Sequence, residues 1–279
     1  LAQNIYGSDA RFVFELLQNA DDNRFEKAIN AGAPPFVSFH VYSNRIVVEC
    51  NEDGFTPRDL TAICAVGESS KSTTHGYIGA KGIGFKSVFI AAWKVHVQSG
   101  HFSFDFKHRK GDSGLGMVVP IWHETSETLP SPMTRMTLHL HEPDGAEHLE
   151  DLRKTVFDQL SNLQETSLLF LRKLKMIIVS FYDTNDRLAS SKVFRCDKGD
   201  GRSVRLETIQ TTQPGATKKD TKRFHVTRHL ATGLSLSETR GAAAEAEVIL
   251  AFPLTSDSKP LLQKQDLFAF LPVRKSEFE

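Results

Sequence analysis

The sequence has few cysteines and no long apolar run. Its 279 residues include three cysteines, Cys50, Cys64 and Cys196, which are odd in number and far apart. This spacing suits neither a disulfide framework nor a cysteine metal site, so we expect an intracellular protein, cytoplasmic or nuclear. No apolar run reaches the ~18 residues needed to span a bilayer, which predicts no membrane partner.

An excess of charge of one sign is also missing. Lys and Arg together number 34, as do Asp and Glu, so no overall basic field attracts nucleic acid. The basic residues between 218 and 223 leave a local contact open, although a solvated loop is the favoured interpretation. The chain lacks an initiator Met and a signal-peptide pattern, and it stops in a charged segment, which suggests a fragment of a longer protein.

Apolar residues make up 40 % of the chain, enough to bury a core. Their spacing predicts helices over 9–31, 56–66, 85–92 and 147–163, with 167–172 as an extension of the last. It predicts strands over 36–42, 45–50, 94–99, 102–106, 117–121, 135–141, 175–182, 247–253 and 267–273. Residues 183–222 are polar, and we expect them to be rich in loops.

The first motif is the helix from Arg11 to Arg24, which separates apolar from polar residues. At 100° per residue, Glu15, Gln18, Asn19 and Asp22 share one side. A solvated face is the usual explanation for such a pattern, but this side contains no Lys or Arg. Since Glu15 and Asn19 are one turn apart, the pair suits a hard cation such as Mg²⁺ and a water aimed at a phosphate.

The second motif follows the strand 45–50, where Asn51-Glu-Asp53-Gly54-Phe breaks the apolar pattern. A common turn explains this composition. A purine site is the functional alternative, because a side-chain oxygen at a strand end can accept from an adenine amino group and a glycine permits close approach.

The third motif has four glycines within residues 76–84 and leads directly into an apolar helix. Flexible backbone with free N–H groups before a helix is typical of a phosphate site. It fits neither a dinucleotide fingerprint nor a P-loop, because Phe85 stands where a P-loop requires Lys and a polar segment precedes the glycines. A glycine hinge in a lid is the structural alternative.

Together these motifs resemble the nucleotide-binding boxes of the GHKL family, which contains gyrase, a heat-shock chaperone, histidine kinases and MutL. Residues 15–22 resemble its N-box, 51–55 its adenine box, 79–85 the end of its ATP lid and 133–140 its last box. The details are most similar to the sacsin and NO VEIN branch, which includes large fungal proteins. The resemblance covers residues 5–182 well.

The resemblance implies an α+β fold, a two-layer α/β sandwich of the Bergerat type with a mixed, mostly antiparallel sheet. We therefore predict an ATP-binding domain over 1–182. Residues 183–279 would form a strand-rich extension that begins a middle domain.

The resemblance also implies a set of site residues. Glu15 would be the general base, and Asn19 would bind Mg²⁺. The remaining nucleotide contacts carried over by position are Asp22, Asn23, Asn51, Asp53, Gly54, Lys71, Gly79, Lys81, Gly82, Ile83, Gly84, Phe85 and Thr134, with Lys86 as a further source of charge.

The adenine contact departs from the family pattern D-x-G-x-G. If Gly54 is the second glycine, Cys50 stands at the Asp position, and a thiol suits that role poorly. Asn51, three residues before Gly54, becomes the first candidate and Asp53 the second.

The implied function is ATP binding with slow Mg²⁺-dependent hydrolysis, coupled to lid closure in a chaperone or clamp. A nucleotide-binding interaction module that does not hydrolyse ATP is the alternative. A histidine-kinase domain is disfavoured, because the chain begins directly at the N-box helix. The expected partners are an unidentified protein client or partner domain, and a dimer through regions outside this chain stays open.

Overall fold

The computed structural model describes residues 11–64, 85–109, 111–112, 114–124, 129–142, 147–199, 202–213, 215–232, 246–261, 265–269 and 271–276. Within these ranges the α-helices are α1 Arg11–Asp22, α2 Glu26–Asn30, α3 Pro57–Cys64, α4 Glu147–Ser161 and α5 Ser167–Phe170. Two 3₁₀ helices cover Phe85–Ile90 and Gly114–Met117.

The first six strands are β1 Phe36–Val41, β2 Arg45–Cys50, β3 Ala92–Ser99, β4 Phe102–Lys107, β5 Ile121–Trp122 and β6 Thr134–Leu140. The later strands are β7 Met176–Tyr182, β8 Leu188–Lys198, β9 Ser203–Thr212, β10 Ala216–Ala231, β11 Ala246–Leu254, β12 Gln265–Ala269 and β13 Leu271–Ser276.

Eleven of the described strands form one mixed sheet in the order β11-β10-β9-β8-β7-β1-β2-β6-β3-β4-β5. β1 and β7 pair in parallel, and the neighbouring pairs on either side are antiparallel. β12 and β13 form a separate hairpin. The order brings β6 between β2 and β3, so the ends of three strands distant in sequence meet near residues 50, 99 and 134.

The two faces of the sheet differ, because successive side chains of a strand point to opposite sides. One face, here called the buried face, carries Val37, Phe39, Val48, Val97 and Leu138, which form one apolar cluster with residues of α1, α4 and α5. The other, here called the open face, carries the polar residues His40, Glu49, His96, Asp105 and Arg135, which line a shared groove or lie beside it.

The predicted two-layer α/β sandwich was wrong. The finding that overturns it is the strand-rich sheet, which runs on to eleven strands through the segment that we expected to be rich in loops. The helices described are short, with α4 at 15 residues and α1 at 12 as the longest, and those that pack on the buried face do not make a helical layer across the whole sheet.

Three long strands, β8, β9 and β10, account for the error within 183–222. Few of their side chains are buried, among them Phe194, Leu206 and Phe224, and most of the others are polar and exposed. These few buried residues share one face at one end of the strands, and backbone pairing and cross-strand ion pairs such as Lys219 with Glu207, at 2.6 Å, hold the polar remainder together. The sheet crosses residue 182, and the division into domains 1–182 and 183–279 stays a prediction.

Two smaller expectations also differ from the structure. The predicted helix over 9–31 is two helices, because Asp53 binds the backbone N–H groups of Glu26 and Lys27 and starts α2 separately. The predicted strand over 117–121 is mostly absent from the described residues, where a 3₁₀ helix and the two-residue β5 occupy this region. No helix in the described ranges is long and apolar enough to cross a membrane.

Candidate functional site

The polar side of α1 is not a solvated face. Gln18 and Asp22 are 8% and 5% exposed, and Glu15 and Asn19 are half-buried. Burial of an acidic and amide-rich side is costly unless these groups have partners. The structure therefore favours a functional or structural role for this side of the helix over simple solvation.

Asp21, which sequence reasoning passed over, anchors the end of α1. Its buried carboxylate accepts hydrogen bonds from the backbone N–H groups of Arg172, Lys173 and Leu174 at 2.7, 2.8 and 2.8 Å. The Lys173 ammonium donates to the carbonyls of Asp22 and Asn23 at 2.9 and 2.7 Å. These bonds join the end of α1 to the segment before β7.

Asn51 and Asp53, the two candidates for the adenine contact, both hold backbone. The Asn51 side chain accepts from the N–H of Phe36 at 2.7 Å and donates to the carbonyl of Pro34 at 2.9 Å. The Asp53 carboxylate accepts from two N–H groups at the start of α2, and its own N–H donates to the carbonyl of Arg24 at 2.9 Å. These two side chains therefore fix the conformation of the turn. Glu52 lies between them in the sequence.

Glu52 is the acidic residue that the turn directs inward. It is 5% exposed, and its carboxylate accepts a hydrogen bond from the hydroxyl of Thr134. The hydroxyls of Thr134 and Ser99 are 2.5 Å apart, and the Ser99 oxygen accepts from the N–H of Phe55 at 2.8 Å. Glu52, Ser99 and Thr134, here called the carboxyl–hydroxyl cluster, join β2, β3 and β6 at one end of the sheet.

The electrostatics of this cluster follow from its burial. Burial raises the pKa of Glu52, and the hydrogen bond from Thr134 offsets part of that rise. Burial also raises the pKa of the Cys50 thiol, which leaves that group protonated and unable to act as an anionic acceptor. Glu52 is therefore the carboxyl at this strand end whose charge state can respond to a ligand.

Gly54 gives the turn its shape. Its φ of +93° lies in a region that residues with a side chain rarely adopt, and an added Cβ would lie 3.5 Å from the Ser99 oxygen. A glycine is needed here for the backbone conformation more than for space.

The glycine-rich motif falls largely outside the described residues, as do Lys71, Gly79, Lys81, Gly82, Ile83 and Gly84. Phe85 begins the 3₁₀ helix and packs edge-on against Phe89 and Phe106, with ring centroids 6.5 and 6.1 Å apart. Lys86 follows it and is half-buried. This 3₁₀ helix, Phe85–Ile90, contacts α1, the helix that carries Glu15 and Asn19.

The structure thus brings part of the predicted site together. Thr134 and Gly54 lie at the carboxyl–hydroxyl cluster, whereas Asn51 and Asp53 face the backbone beside it. The residue that the sequence analysis missed is Glu52. The available signal was its spacing of two residues before Gly54, which matches the first Asp and first Gly of the pattern D-x-G-x-G.

Part of the chain is similar to a curated protein. Protein NO VEIN from Arabidopsis thaliana is 34% identical to the chain over 188 residues. The match covers 64% of the chain and 7% of NO VEIN, so the chain spans a small part of the length of that relative. No protein-family profile matches the chain. The chain is therefore related to NO VEIN, as predicted, and membership of the wider GHKL family stays a prediction.

Proposed function

We propose that this chain binds ATP with Mg²⁺ and hydrolyses it slowly, in the manner that its resemblance to the GHKL family implies. The observation that carries the proposal is the carboxyl–hydroxyl cluster beneath Gly54. A buried carboxylate at a strand end, backed by a threonine hydroxyl from an inner strand, is suited to accept from the amino group of an adenine. The proposal concerns the site and does not include the two-layer fold.

Glu52 replaces Asn51 and Asp53 as the adenine contact in this proposal. Both atoms of the Asn51 amide and both oxygens of the Asp53 carboxylate are held by backbone groups. Glu52 bonds to the hydroxyl of Thr134 as well as to the backbone N–H of Gly54, and a hydroxyl can turn to accommodate a ligand. If Gly54 is taken as the first glycine of the pattern D-x-G-x-G, Glu52 stands at the position of the acidic residue.

Asn19 and Glu15 supply the chemistry at the phosphate end. The Asn19 amide oxygen is a suitable ligand for Mg²⁺, which prefers oxygen donors and balances phosphate charge when bound. Glu15, one turn before it, would hold a water and accept its proton. Both side chains are half-buried, so the helix offers them to a partly dry site.

Binding tests the adenine contact most directly. Calorimetry with ATP–Mg²⁺ should show binding that weakens about 10- to 100-fold in Glu52→Ala, because one hydrogen bond to a charged group contributes about 1.5–3 kcal/mol. Guanine presents a carbonyl where adenine presents an amino group, so the wild type should prefer ATP to GTP and the variant should lose that preference. Glu49→Ala, on the open face of the same strand, is the matched control and should bind as the wild type does.

Hydrolysis in the same samples separates the two alternatives. Glu15→Ala should keep binding and lose hydrolysis by about 10²- to 10⁴-fold, the usual contribution of a general base, whereas Asn19→Ala should lose Mg²⁺-dependent binding. Binding by a wild type that does not hydrolyse ATP would favour the interaction module. A folded wild type that binds no ATP would end the proposal.

A further inference from the structure

A second polar cluster lies on the open face of the sheet, away from the proposed nucleotide site. His96 in β3 is the register partner of Asp105 in β4, and His123 directly follows β5. The His96 Nδ1 atom lies 2.6 Å from one Asp105 oxygen, and the His123 Nε2 atom lies 2.8 Å from the other. Three neighbouring strands thus bring two imidazoles to one carboxylate.

The three donor atoms are close enough to share one ion. The two ring nitrogens and the carboxylate oxygen all lie within 4.8 Å of one another. Bond lengths of about 2.0–2.2 Å around a tetrahedral Zn²⁺ place its ligand atoms about 3.3 Å apart, so an ion needs side-chain shifts of less than about 1 Å. His96 and Asp105 lie opposite each other on paired strands, which favours a preformed position for two of the three ligands.

The surroundings of the cluster supply a second observation. Asp105 is 2% exposed, and the nearby Ser103 is 3% exposed. Within the described residues the Ser103 hydroxyl oxygen has no hydrogen-bond partner, and it lines the same groove of about 650 Å³ as His96 and His123. A buried hydroxyl that lacks a partner costs free energy, which a bound water or ion would recover.

Two lysines compete with an ion for this carboxylate. The ammonium groups of Lys94 and Lys107 lie 4.0 and 3.9 Å from one oxygen of Asp105. Their side chains are 23% and 43% exposed, so each can swing its charge into water at little cost. The two imidazoles lie closer to Asp105 than the ammonium groups do, at 2.6 and 2.8 Å, and His96 is held in β3 opposite it.

We propose that His96, Asp105 and His123 form a binding site for a divalent transition metal ion, with Zn²⁺ as the fitting ion. Two imidazole nitrogens and one carboxylate oxygen are a known ligand class for zinc, and a set of three leaves a fourth position open. That position faces the groove, where a water or an anionic ligand completes the coordination. The site does not rest on the proposed nucleotide function.

Calorimetry with Zn²⁺ alone, on the full chain without nucleotide, tests this inference. The wild type should bind one ion per chain, and His123→Ala should weaken binding by more than about 100-fold, since even residues behind metal ligands change affinity about 10- to 100-fold. His123 is 41% exposed, so its truncation should leave the fold intact. His101→Ala, in the exposed turn between β3 and β4, is the matched control and should bind as the wild type does.

Substitution of Co²⁺ distinguishes this cluster from the cysteines. Binding at the cluster should give the visible spectrum of a nitrogen- and oxygen-liganded Co²⁺ ion and no thiolate band. A thiolate band, equal binding by wild type and His123→Ala, or no stoichiometric binding by a folded wild type would each overturn the proposal. Asp105 would then serve as an ion-pair centre for the lysines and imidazoles around it.

Discussion

Glu49 and Glu52 are three residues apart in the sequence, but their carboxyls point to opposite faces of the sheet and have different partners there. Glu49, at the end of β2, points to the open face and bonds to Arg135 at 2.7 Å. Glu52, in the turn after β2, points to the buried face and bonds to Thr134. Their partners are consecutive residues of β6, and because successive side chains of a strand point to opposite faces, this one strand supplies a partner on each face.

The pKa values of the two carboxyls move in opposite directions. The hydrogen bond from His40 and the bond and charge of Arg135 outweigh burial and lower the pKa of Glu49 to about 2. Burial dominates at Glu52 and raises its pKa, because the Thr134 hydroxyl and the Gly54 N–H that bond to it are neutral and Asp53 and Asp59 add negative charge nearby. A carboxyl with cationic partners is stabilised as an anion, whereas a carboxyl among hydroxyls is held ready for a ligand that donates a hydrogen bond.

Removal of the hydroxyl beside Glu52 should have the largest effect on stability. Thr134→Val should lower the free energy of unfolding by about 1–3 kcal/mol at pH 8, because the buried carboxylate loses its hydroxyl partner. Thr134→Ser keeps the hydroxyl and should lose much less. Urea denaturation without nucleotide measures both, and equal losses in the two variants would show that the methyl group, not the hydrogen bond, matters here.

Neutralisation of Glu52 should change how stability depends on pH. The raised pKa means that the folded wild type holds its proton more tightly than the unfolded chain, so stability falls as the pH rises above the ordinary value of 4.5. Glu52→Gln lacks this loss and should become more stable than the wild type by about 1 kcal/mol between pH 5 and pH 8, the typical size of a point-mutation effect. The exposed Glu142→Gln is the control, and a parallel shift in both variants would contradict the assignment.

The strands on either side of this site could be predicted from the sequence within one or two residues. β1, β2, β6 and β7 have clear alternation or apolar runs, and the polar side of α1 was visible on a helical wheel. The direction of Glu52 could not be predicted, because the alternation of β2 ends at Cys50. Beyond that residue, the bonds of Asn51 and Asp53 to distant backbone decide which way the turn faces.

The sheet beyond β7 and the metal cluster were missed for different reasons. β8 to β10 carry only a few apolar residues on one face, at one end of each strand, so the pattern of apolar residues hardly distinguishes them from loops. Two of the three residues of the proposed metal site could have been paired from the sequence, since a turn at Gly100 and His101 places His96 opposite Asp105. The contribution of His123 depends on the two-residue β5, which is too short to leave a pattern in the sequence.

Neutralisation of Glu49 should have the smallest effect on stability, and the pH dependence of that effect should be opposite in sign to that of Glu52. Its lowered pKa contributes stability that is fully present above about pH 4.5 and is lost as the pH falls towards about 2. Glu49→Gln should therefore be less stable than the wild type at pH 7 by less than about 1 kcal/mol, since water screens a partly exposed pair. The difference should shrink between pH 4.5 and pH 3 in thermal melts, whereas the Glu52→Gln difference grows above pH 4.5. If both stability differences changed in the same direction with pH, the pKa values of Glu49 and Glu52 would not be shifted in opposite directions. The carboxyl–hydroxyl cluster would then lack the electrostatic property on which its proposed role as a ligand site depends.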